Sequence, residues 1–311
     1  MSEGRQLDVL VVGDLFIDLV MSGFASWPQA GEEAVAKEFC REAGGGAAIT
    51  ACGLAKLGIK AGVLGAVGEE DGRWILERLE AHGVATSGVY LSSKEPTAFT
   101  VCVSGPSDRS YFTYMGANRE LPGLLLDTVK SGKFSGARHV HLACAPDPST
   151  LPTVFEALVK NGRSISVDVG WQPEWLSDKR SMAALRQADI FFPNKSEASR
   201  MTGETQPQKM LEVFQRAGLK NVALKLGASG AAVLSDGKII FQKPGRIEPV
   251  DTTGAGDCFD TGFLYAWLRG DDARTCLRVG AVCGELSTRA LGGISGFPNR
   301  EELESTICTA K

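Results

Sequence analysis

The stretch LDVLVVG, residues 7–13, decides the fold class of this chain. It is a continuous apolar run that ends in glycine, which is typical of a strand buried on both faces of a parallel sheet. Comparable short runs recur further along, at 61–67, 138–144, 164–170, 189–194 and 221–227. Because longer helical segments separate these runs, the pattern predicts a doubly wound, mostly parallel α/β sheet.

Helical patterns fill the intervals between the predicted strands. We expect helices at 47–57, 71–82, 149–160, 177–187, 255–268 and 272–291. Asn299 with Glu302 three residues later is a capping signal that predicts a last helix. AAVLSDG followed by KIIFQK predicts a hairpin that turns at Asp236 and Gly237.

Two stretches interrupt this alternation. Residues 15–40 carry no clear helix pattern, and TAFTVCVSG (97–105) and SYFTYMG (110–116) alternate polar and apolar side chains. Such alternation indicates paired antiparallel strands with one solvated face rather than buried parallel strands. We therefore expect a small antiparallel β lid, formed by about 15–40 and 97–118, on a single domain that spans 1–311.

The composition is that of an ordinary globular protein with an acidic balance. The chain has 311 residues, of which 43% are hydrophobic and 23% charged, and a net charge of -4. Without a basic face, neither nucleic acid nor an anionic membrane is an expected partner. The apolar run Val9–Val12 is too short to span a bilayer.

The cysteines and histidines carry no metal or disulfide pattern. Eight scattered cysteines include no CxxC pair, so we expect reduced thiols and a cytoplasmic location. His139 and His141 lie two residues apart in a predicted strand and so share one face, but a metal role for the pair is the less favoured interpretation.

The segment DTTGAGDCFDTGF, residues 251–263, carries the strongest chemical signal. Gly254, Ala255 and Gly256 form a turn nearly free of side chains before a predicted helix, whose N-terminal amides favour an anionic phosphate. Asp257 in the first helical turn is placed to take a proton from an attacking hydroxyl. On spacing alone, the alternative that Asp257 is only a helix-capping acid remains open.

DTTGAGD, with the phenylalanine and glycine that follow, resembles the C-terminal signature of the ribokinase-like, or PfkB, carbohydrate kinase family. AGGGAAITACGLAKLG (43–58) resembles the N-terminal signature of that family, and PNKSEA, LKLGASGA and YMGANREL are similar to further family segments. The resemblance covers essentially the whole chain in the right order. It implies a three-layer ribokinase-like fold with a small antiparallel β lid.

The resemblance also implies an activity, ATP-dependent transfer of the γ-phosphoryl group to a hydroxyl of a small sugar or sugar-like molecule, and we expect that hydroxyl to be primary. A nucleoside kinase of the same family is the alternative. A catalytically silent binding or scaffold member is less favoured, since a scaffold has no need of the base Asp257.

Roles for individual residues follow from the resemblance. Asp257 is the expected general base, and Gly254, Ala255 and Gly256 are the expected anion hole. The expected nucleotide-binding residues are Asn194, Lys225, Gly227, Gly230, Gly280 and Cys283. The expected substrate-binding residues are Asp18, with Asp14 as a second candidate, and Gly44, Gly45 and Gly46.

The resemblance further implies ions and an oligomeric state. Glu197 and Asn194 are expected to organise Mg²⁺, largely through water, and Asp251 and Thr253 are candidates for a K⁺ site. The alternative for Asn194 is a simple helix cap after Pro193. A homodimer formed through the lid is expected as well, because the strand edges of the lid need cover.

This sequence departs from the family pattern at positions that contact sugar hydroxyls. Ile49 stands where the family usually has asparagine, and Gly46 and Phe16 stand where ribokinase has lysine and asparagine. Losing these polar contacts argues against a plain ribokinase and keeps nucleosides and modified sugars open. Lys225 stands where threonine is common in the family. Two interpretations remain open for it, a phosphate contact and a surface lysine.

Overall fold

The computed structural model of the chain describes residues 7–104, 109–132, 136–245 and 247–309. The strands in these ranges are β1 (Val9–Gly13), β2 (Phe16–Ser22), β3 (Glu38–Gly44), β4 (Ala61–Gly68), β5 (Ala85–Ser92), β6 (Phe99–Ser104), β7 (Arg109–Tyr114), β8 (His139–Ala143), β9 (Ser164–Asp168), β10 (Ile190–Phe191), β11 (Val222–Lys225), β12 (Ala231–Ser235) and β13 (Lys238–Gln242). The α-helices are α1 (Gly46–Lys56), α2 (Arg73–Ala81), α3 (Leu121–Ser131), α4 (Leu151–Lys160), α5 (Pro173–Ser177), α6 (Lys179–Ala184), α7 (Lys195–Thr202), α8 (Pro207–Arg216), α9 (Ala255–Leu268), α10 (Ala273–Ser287) and α11 (Arg300–Thr309).

A nine-stranded sheet forms the body, in the order β13-β12-β11-β10-β9-β8-β1-β4-β5. The strands from β11 to β5 pair in parallel, and β12 and β13 add an antiparallel edge. This confirms the predicted mostly parallel sheet. The predicted hairpin is confirmed too, since β12 and β13 turn at Asp236 and Gly237, which both have positive φ.

Alternate residues of the central strands feed two hydrophobic cores. Val9 and Val11 point into a core shared with α1, α9 and α10, whereas Leu10 and Val12 point into a core shared with α3, α4 and α8. Helices therefore cover both faces of the sheet, which explains why its strands read as continuous apolar runs. None of the described helices is long and apolar enough to cross a membrane.

A second sheet of four strands, in the order β3-β2-β6-β7, forms the lid. The pairs β2/β3 and β6/β7 are antiparallel, as expected, while β2 and β6 at the centre run parallel. Glu42, near the end of β3 where the lid joins the body (the lid root), is 4% exposed and accepts two hydrogen bonds from Arg78 Nη2 of α2, at 2.7 and 3.0 Å. The same carboxylate accepts a hydrogen bond from Ser295, so it ties the lid to the body.

Three predicted boundaries differ from the structure for local reasons. The strand expected at 189–194 is only Ile190–Phe191, because Asn194 already caps α7. The helix expected at 177–187 begins only at Lys179, because the carboxylate of Asp178 accepts the amide of Arg180 as its N-cap, and its last turn, Leu185–Gln187, is a 3-10 helix. The helix expected to reach residue 291 ends at Ser287, because the amides of Val250 and Asp251 take the carbonyl of Thr288.

Candidate active site

The site lies where the parallel strands of the main sheet end. The carboxyl ends of β1, β8, β9, β10 and β11 meet at one edge of the sheet, as in other open α/β folds. These ends carry Asp14, Ala143, Asp168, Asn194 and Lys225. Within the described residues, the site is completed by β2, by the end of β3, and by the N-terminal ends of α1 and α9.

The turn predicted to bind phosphate begins α9. Gly254 is the N-cap residue in the left-handed region, at φ 71°, where a side chain would be strained. A Cβ there would also lie 2.7 Å from Ile49 Cδ1 and 2.9 Å from the Cα of Gly293. Gly254, Ala255 and Gly256, called the glycine turn below, are thus held against α1. The amide of Ala255 donates to the carbonyl of Thr252 at 3.2 Å, so one expected donor is engaged within the turn.

Close packing of α1 on α9 brings the two signature motifs together. A Cβ on Gly53 of α1 would lie 2.8 Å from Cγ2 of Thr261 in α9, so glycine is needed for this approach. At the N-terminal end of the same interface, a Cβ on Gly46 would lie 3.0 Å from Oδ1 of Asp257. The expected substrate motif and the expected base therefore face each other.

Asp257 has the electrostatics of a base that works near neutral pH. Burial, followed by the charge of Asp168, raises its pKa, and Lys225 offsets part of that rise, so that the pKa is about 7. Since a base is most efficient when its pKa lies near the working pH, this position suits general base catalysis. The interpretation of Asp257 as only a capping acid is not favoured, because its carboxylate faces Gly46 across the site.

The expected substrate residues line the opposite side. Gly44 leaves room for the carboxylate of Asp18, which would collide with any Cβ there. Gly45 has φ 87° and packs on the backbone of Asp14. Burial raises the pKa of Asp18 to about 7, helped by the charge of Asp257, and burial raises the pKa of Asp14 to about 6.

Lys225 is neither on the surface nor free to move. Its side chain is 11% exposed, and its Nζ donates to Asp168 Oδ2 at 2.6 Å and to Asp260 Oδ1 at 3.2 Å. Burial lowers its pKa, but the charges of these two acids outweigh burial, so the net shift is upward. The interpretation of Lys225 as a surface lysine is wrong because its ammonium is enclosed by two buried carboxylates.

Asn194 and Glu197 form a reciprocal cap at the start of α7. Asn194 Oδ1 accepts the amide of Glu197 at 2.9 Å, and Glu197 Oε2 accepts the amide of Asn194 at 2.7 Å. Glu197 is 2% exposed, and burial raises its pKa to about 7. The simple capping interpretation therefore holds for the geometry, and any role with a metal would run through water rather than through bare carboxylate oxygens.

Asp251 organises the loop before the glycine turn. Its Oδ1 accepts the amide and hydroxyl of Thr253 at 3.0 and 2.8 Å, and its Oδ2 accepts the amide of Gly292 at 2.8 Å. Asp251 and Thr253 are thus together, as expected for a cation site, but their side chains already hydrogen bond to each other. Across the described part of the chain, no group of three or more His, Cys, Asp or Glu side chains is arranged to hold a metal ion.

Four expected nucleotide-binding residues lie in different surroundings. Gly227, at φ 56°, borders open space, whereas Gly230 is needed because β13 passes close to it at Gln242. Cys283 is 0% exposed and packs on Gly262 of α9, and Gly280 packs on Phe259. The expectation that Gly280 and Cys283 border an adenine does not fit this placement, because both fill the α9–α10 interface.

The residues that depart from the family pattern do not all face the substrate. Ile49 is 4% exposed and packs against Gly254 and Gly293, so it supports the glycine turn rather than replacing a sugar contact. Phe16 packs at Gly45, beside the expected substrate residues. The expectation that Ile49 takes the place of a sugar-reading side chain does not fit this placement, because Ile49 is buried under the glycine turn. Phe16 is the apolar neighbour of the expected substrate residues.

Sequence reasoning missed three residues of the site. Asp168 is the one charged residue of the predicted strand SISVDVG, and Asp260 lies three residues after Asp257 within the motif itself, so both positions carried a signal. Asn118, in the segment YMGANREL, exchanges two hydrogen bonds of 3.1 Å with the backbone of Leu15. Asn118 thus fixes the chain between Asp14 and the lid.

Comparison with known proteins places the whole chain in one family. Residues 6–300 match the pfkB family carbohydrate kinase domain. The chain is 30% identical to a 2-dehydro-3-deoxygluconokinase of Bacillus subtilis over 283 residues, 86% of this chain and 87% of that protein. It is 31% identical to a nucleoside kinase of Methanothermobacter thermautotrophicus, over 97% of this chain and 95% of that protein.

A solved structure has the same architecture. The ribokinase of Arabidopsis thaliana, complexed with ribose and ATP, superimposes with a TM-score of 0.77 at 27% identity. The match covers 97% of this chain and 98% of that one. The three-layer fold and the small second sheet predicted from the sequence are therefore those of the ribokinase-like kinases.

Proposed function

This chain belongs to the PfkB family of carbohydrate kinases and is an ATP-dependent kinase of a sugar or nucleoside, and we propose that Asp257 is its catalytic base. One observation carries the assignment of the base. Asp257 Oδ1 lies 3.0 Å from where a Cβ of Gly46 would stand, so the acid of one motif faces the bare backbone of the other. A hydroxyl held at Gly46 would reach Asp257, within the range that proton transfer requires.

The proposed reaction is an in-line displacement. The hydroxyl oxygen of the substrate attacks the γ-phosphorus of ATP, its proton passes to the Asp257 carboxylate, and the bond from phosphorus to the β-phosphate oxygen breaks to leave ADP. The amides of Gly254, Gly256 and Asp257, at the positive end of α9, stabilise charge on the transferring group. The amide of Ala255 contributes only if its 3.2 Å bond to Thr252 opens.

Asn194 and Glu197 are the proposed partners of Mg²⁺. Since their side chains cap α7, they would hold water molecules of the ion rather than the ion itself. Bound Mg²⁺ supplies positive charge to the phosphates of ATP. Gly227, beside open space, and Lys225 are the proposed neighbours of the nucleotide. Asp251 and Thr253 stay the candidates for K⁺.

Asp18 is the proposed reader of substrate hydroxyls. A carboxylate accepts hydrogen bonds from two adjacent hydroxyls, which suits both a sugar and the ribose of a nucleoside. Asp14 is the second candidate, and Gly44, Gly45 and Gly46 admit the substrate to the backbone. A small sugar is the first proposal. Phe16 beside Gly45 favours the second proposal, a nucleoside, because an aromatic ring can pack on a base.

We further propose a cytoplasmic homodimer joined through the lid, with one catalytic unit over 1–311. One lid face carries apolar side chains in register, namely Leu19, Met21, Phe39, Val101 and Phe112. Phe39 and Phe112 on it are 63% and 56% exposed. The opposite face carries Asp18 and Glu42 toward the body. A second copy covering the apolar face would remove large exposed apolar side chains from water.

Sedimentation velocity tests the dimer. Phe112→Glu is expected to shift the protein from dimer to monomer. Val159→Glu, at an exposed position of α4, is the matched control and leaves the mass unchanged. A wild-type chain that sediments as a monomer at micromolar concentration would refute the proposal.

ATP consumption over a panel of sugars and nucleosides tests the substrate class. Asp257→Asn is expected to lower kcat by about 10²–10⁴ on whichever substrate is phosphorylated, because the proton acceptor is lost. Asp127→Asn, exposed on α3, is the control and keeps wild-type turnover. Wild-type turnover in Asp257→Asn would remove this residue from the mechanism.

A further inference from the structure

Three buried ionisable side chains lie beneath the glycine turn, and the mechanism above gives two of them no role and places the third, Lys225, only beside the nucleotide. Lys225 ends β11, Asp168 ends β9, and Asp260 lies one helical turn after Asp257 in α9. Their side chains are 11%, 11% and 1% exposed. Asp168, Lys225 and Asp260 are called the charge triad below.

The geometry of the charge triad aims a cation at the turn. Gly256 has no side chain, and Nζ of Lys225 lies 3.5 Å from the position that a Cβ of Gly256 would occupy. Two of its donor directions are taken by Asp168 Oδ2 at 2.6 Å and by Asp260 at 3.2 and 3.3 Å. An ammonium group has three donors.

Burial of the charge triad costs free energy, so the presence of these three side chains needs an explanation. Removing a lysine and two acids from water costs several kcal/mol per ion by general estimates, and a packed apolar cluster is often as stable. Stability is therefore a weak explanation for the charge triad. A fixed charge beside a phosphate site does have a use, because preorganised charges stabilise the charge that develops during transfer.

We propose that Asp168 and Asp260 are positioning residues that hold the Lys225 ammonium against Gly256, where it forms the cationic part of the phosphoryl-binding turn. The proposal rests on the proposed function of the glycine turn. Asp168 is the charged partner of the lysine. Asp260 orients the ammonium group. Because Asp260 lies on the same helix as Asp257, the distance between the base and the cation stays fixed.

The test removes both charges of the ion pair together. Lys225→Met alone would leave two buried acids without a cation, and its loss of activity could reflect misfolding. Burial raises the pKa of Asp260 well above its usual range, so this acid stays protonated. The double variant Lys225→Met with Asp168→Asn therefore has no unpaired charge, and it keeps a side chain of similar size at both positions. The control is Lys220→Met with Asp189→Asn, which removes the 3.1 Å pair Lys220–Asp189 at the other end of β11.

The double variant is expected to unfold within a few degrees of wild type and to bind the acceptor with a KM within about threefold, while kcat falls by about 10–10³. Its acidic limb in the pH profile should move to lower pH. Asp168, which raises the pKa of Asp257, acts on it more strongly than Lys225, which lowers it. The other charged groups that act on or face Asp257 are Asp18, Glu197 and Asp260.

A double variant with wild-type kcat and an unmoved pH limb would overturn the proposal, as would equal losses in the control pair. Asp257→Asn separates this result from the proposed function. If Asp257→Asn is inactive and the double variant is fully active, only the role of the charge triad fails. If Asp257→Asn itself keeps wild-type turnover, the proposed function fails first.

Discussion

The carboxylate of Asp257 and the backbone of Gly46 face each other so closely that a methyl group on Gly46 would lie 3.0 Å from Oδ1. The two residues are far apart in sequence and come from the two ends of the chain. Their approach depends on the packing of α1 against α9, for which Gly53 leaves room at Thr261. The site is therefore built by a helix interface rather than by one loop.

Gly46→Ala is expected to impair catalysis without unfolding the protein. The new methyl would crowd Asp257 and Ala143 Cβ, at 3.0 and 3.2 Å, and displace the reacting hydroxyl. Small misplacements of this kind cost about 10–10² in rate, so kcat/KM should fall by that factor. Gly123→Ala, where nothing lies within 4 Å in α3, should keep activity and gain about 0.5–1 kcal/mol. Equal activity of both variants would contradict the crowding.

Activity should depend on pH through the ionisation of Asp257. A base acts only when ionised, and burial with the charge of Asp168 raises its pKa to about 7. We therefore expect kcat/KM to rise with pH, with a midpoint near 7, and to level off above it. Steady-state rates between about pH 5 and pH 9 measure this profile. A flat profile below pH 7 would show that the base titrates elsewhere.

Asp18→Asn should lower the activity of the protein and raise its stability against unfolding. Losing a charged acceptor for two hydroxyls is expected to lower kcat/KM by about 10–10². Folding raises the pKa of Asp18 from 3.8 to about 7, so the ionised group opposes folding increasingly as the pH rises through that window. Asparagine lacks this cost, and by this linkage the variant should gain up to about 4 kcal/mol at pH 8 and less at pH 5. Thermal unfolding at the two pH values measures it, and a loss of stability at pH 8 would contradict it.

Arg78→Met should loosen the lid root. It leaves Glu42, whose side chain is 5% exposed, without its bidentate partner. Because Arg78 is itself 41% exposed, we expect a loss of about 2 kcal/mol rather than the larger cost of a fully buried pair. Arg73→Met in the same helix removes only the exposed pair with Glu77 and should change stability by less than about 0.5 kcal/mol. Denaturant unfolding of both variants compares them, and equal losses would refute the special role of Glu42.

Local patterns in the sequence were enough for most strands of the main sheet. Apolar runs such as 7–13 and 61–67 became β1 and β4 because a strand buried on both faces has to be apolar throughout. The helices α3 and α8 and the strand β5 were not predicted. The pattern also overran boundaries such as 189–194, where the Asn194 cap ended the strand.

By itself, the sequence determined the alternating α/β architecture, the glycine turn and the acid Asp257 that follows it, because these depend on residues close together in the chain. Only the tertiary structure decided the surroundings of that acid. Lys225 meets Asp168 and Asp260 across 57 and 35 residues, and Ile49 packs against Gly254 and Gly293. Such contacts depend on how strands are ordered and helices packed, which no local pattern records.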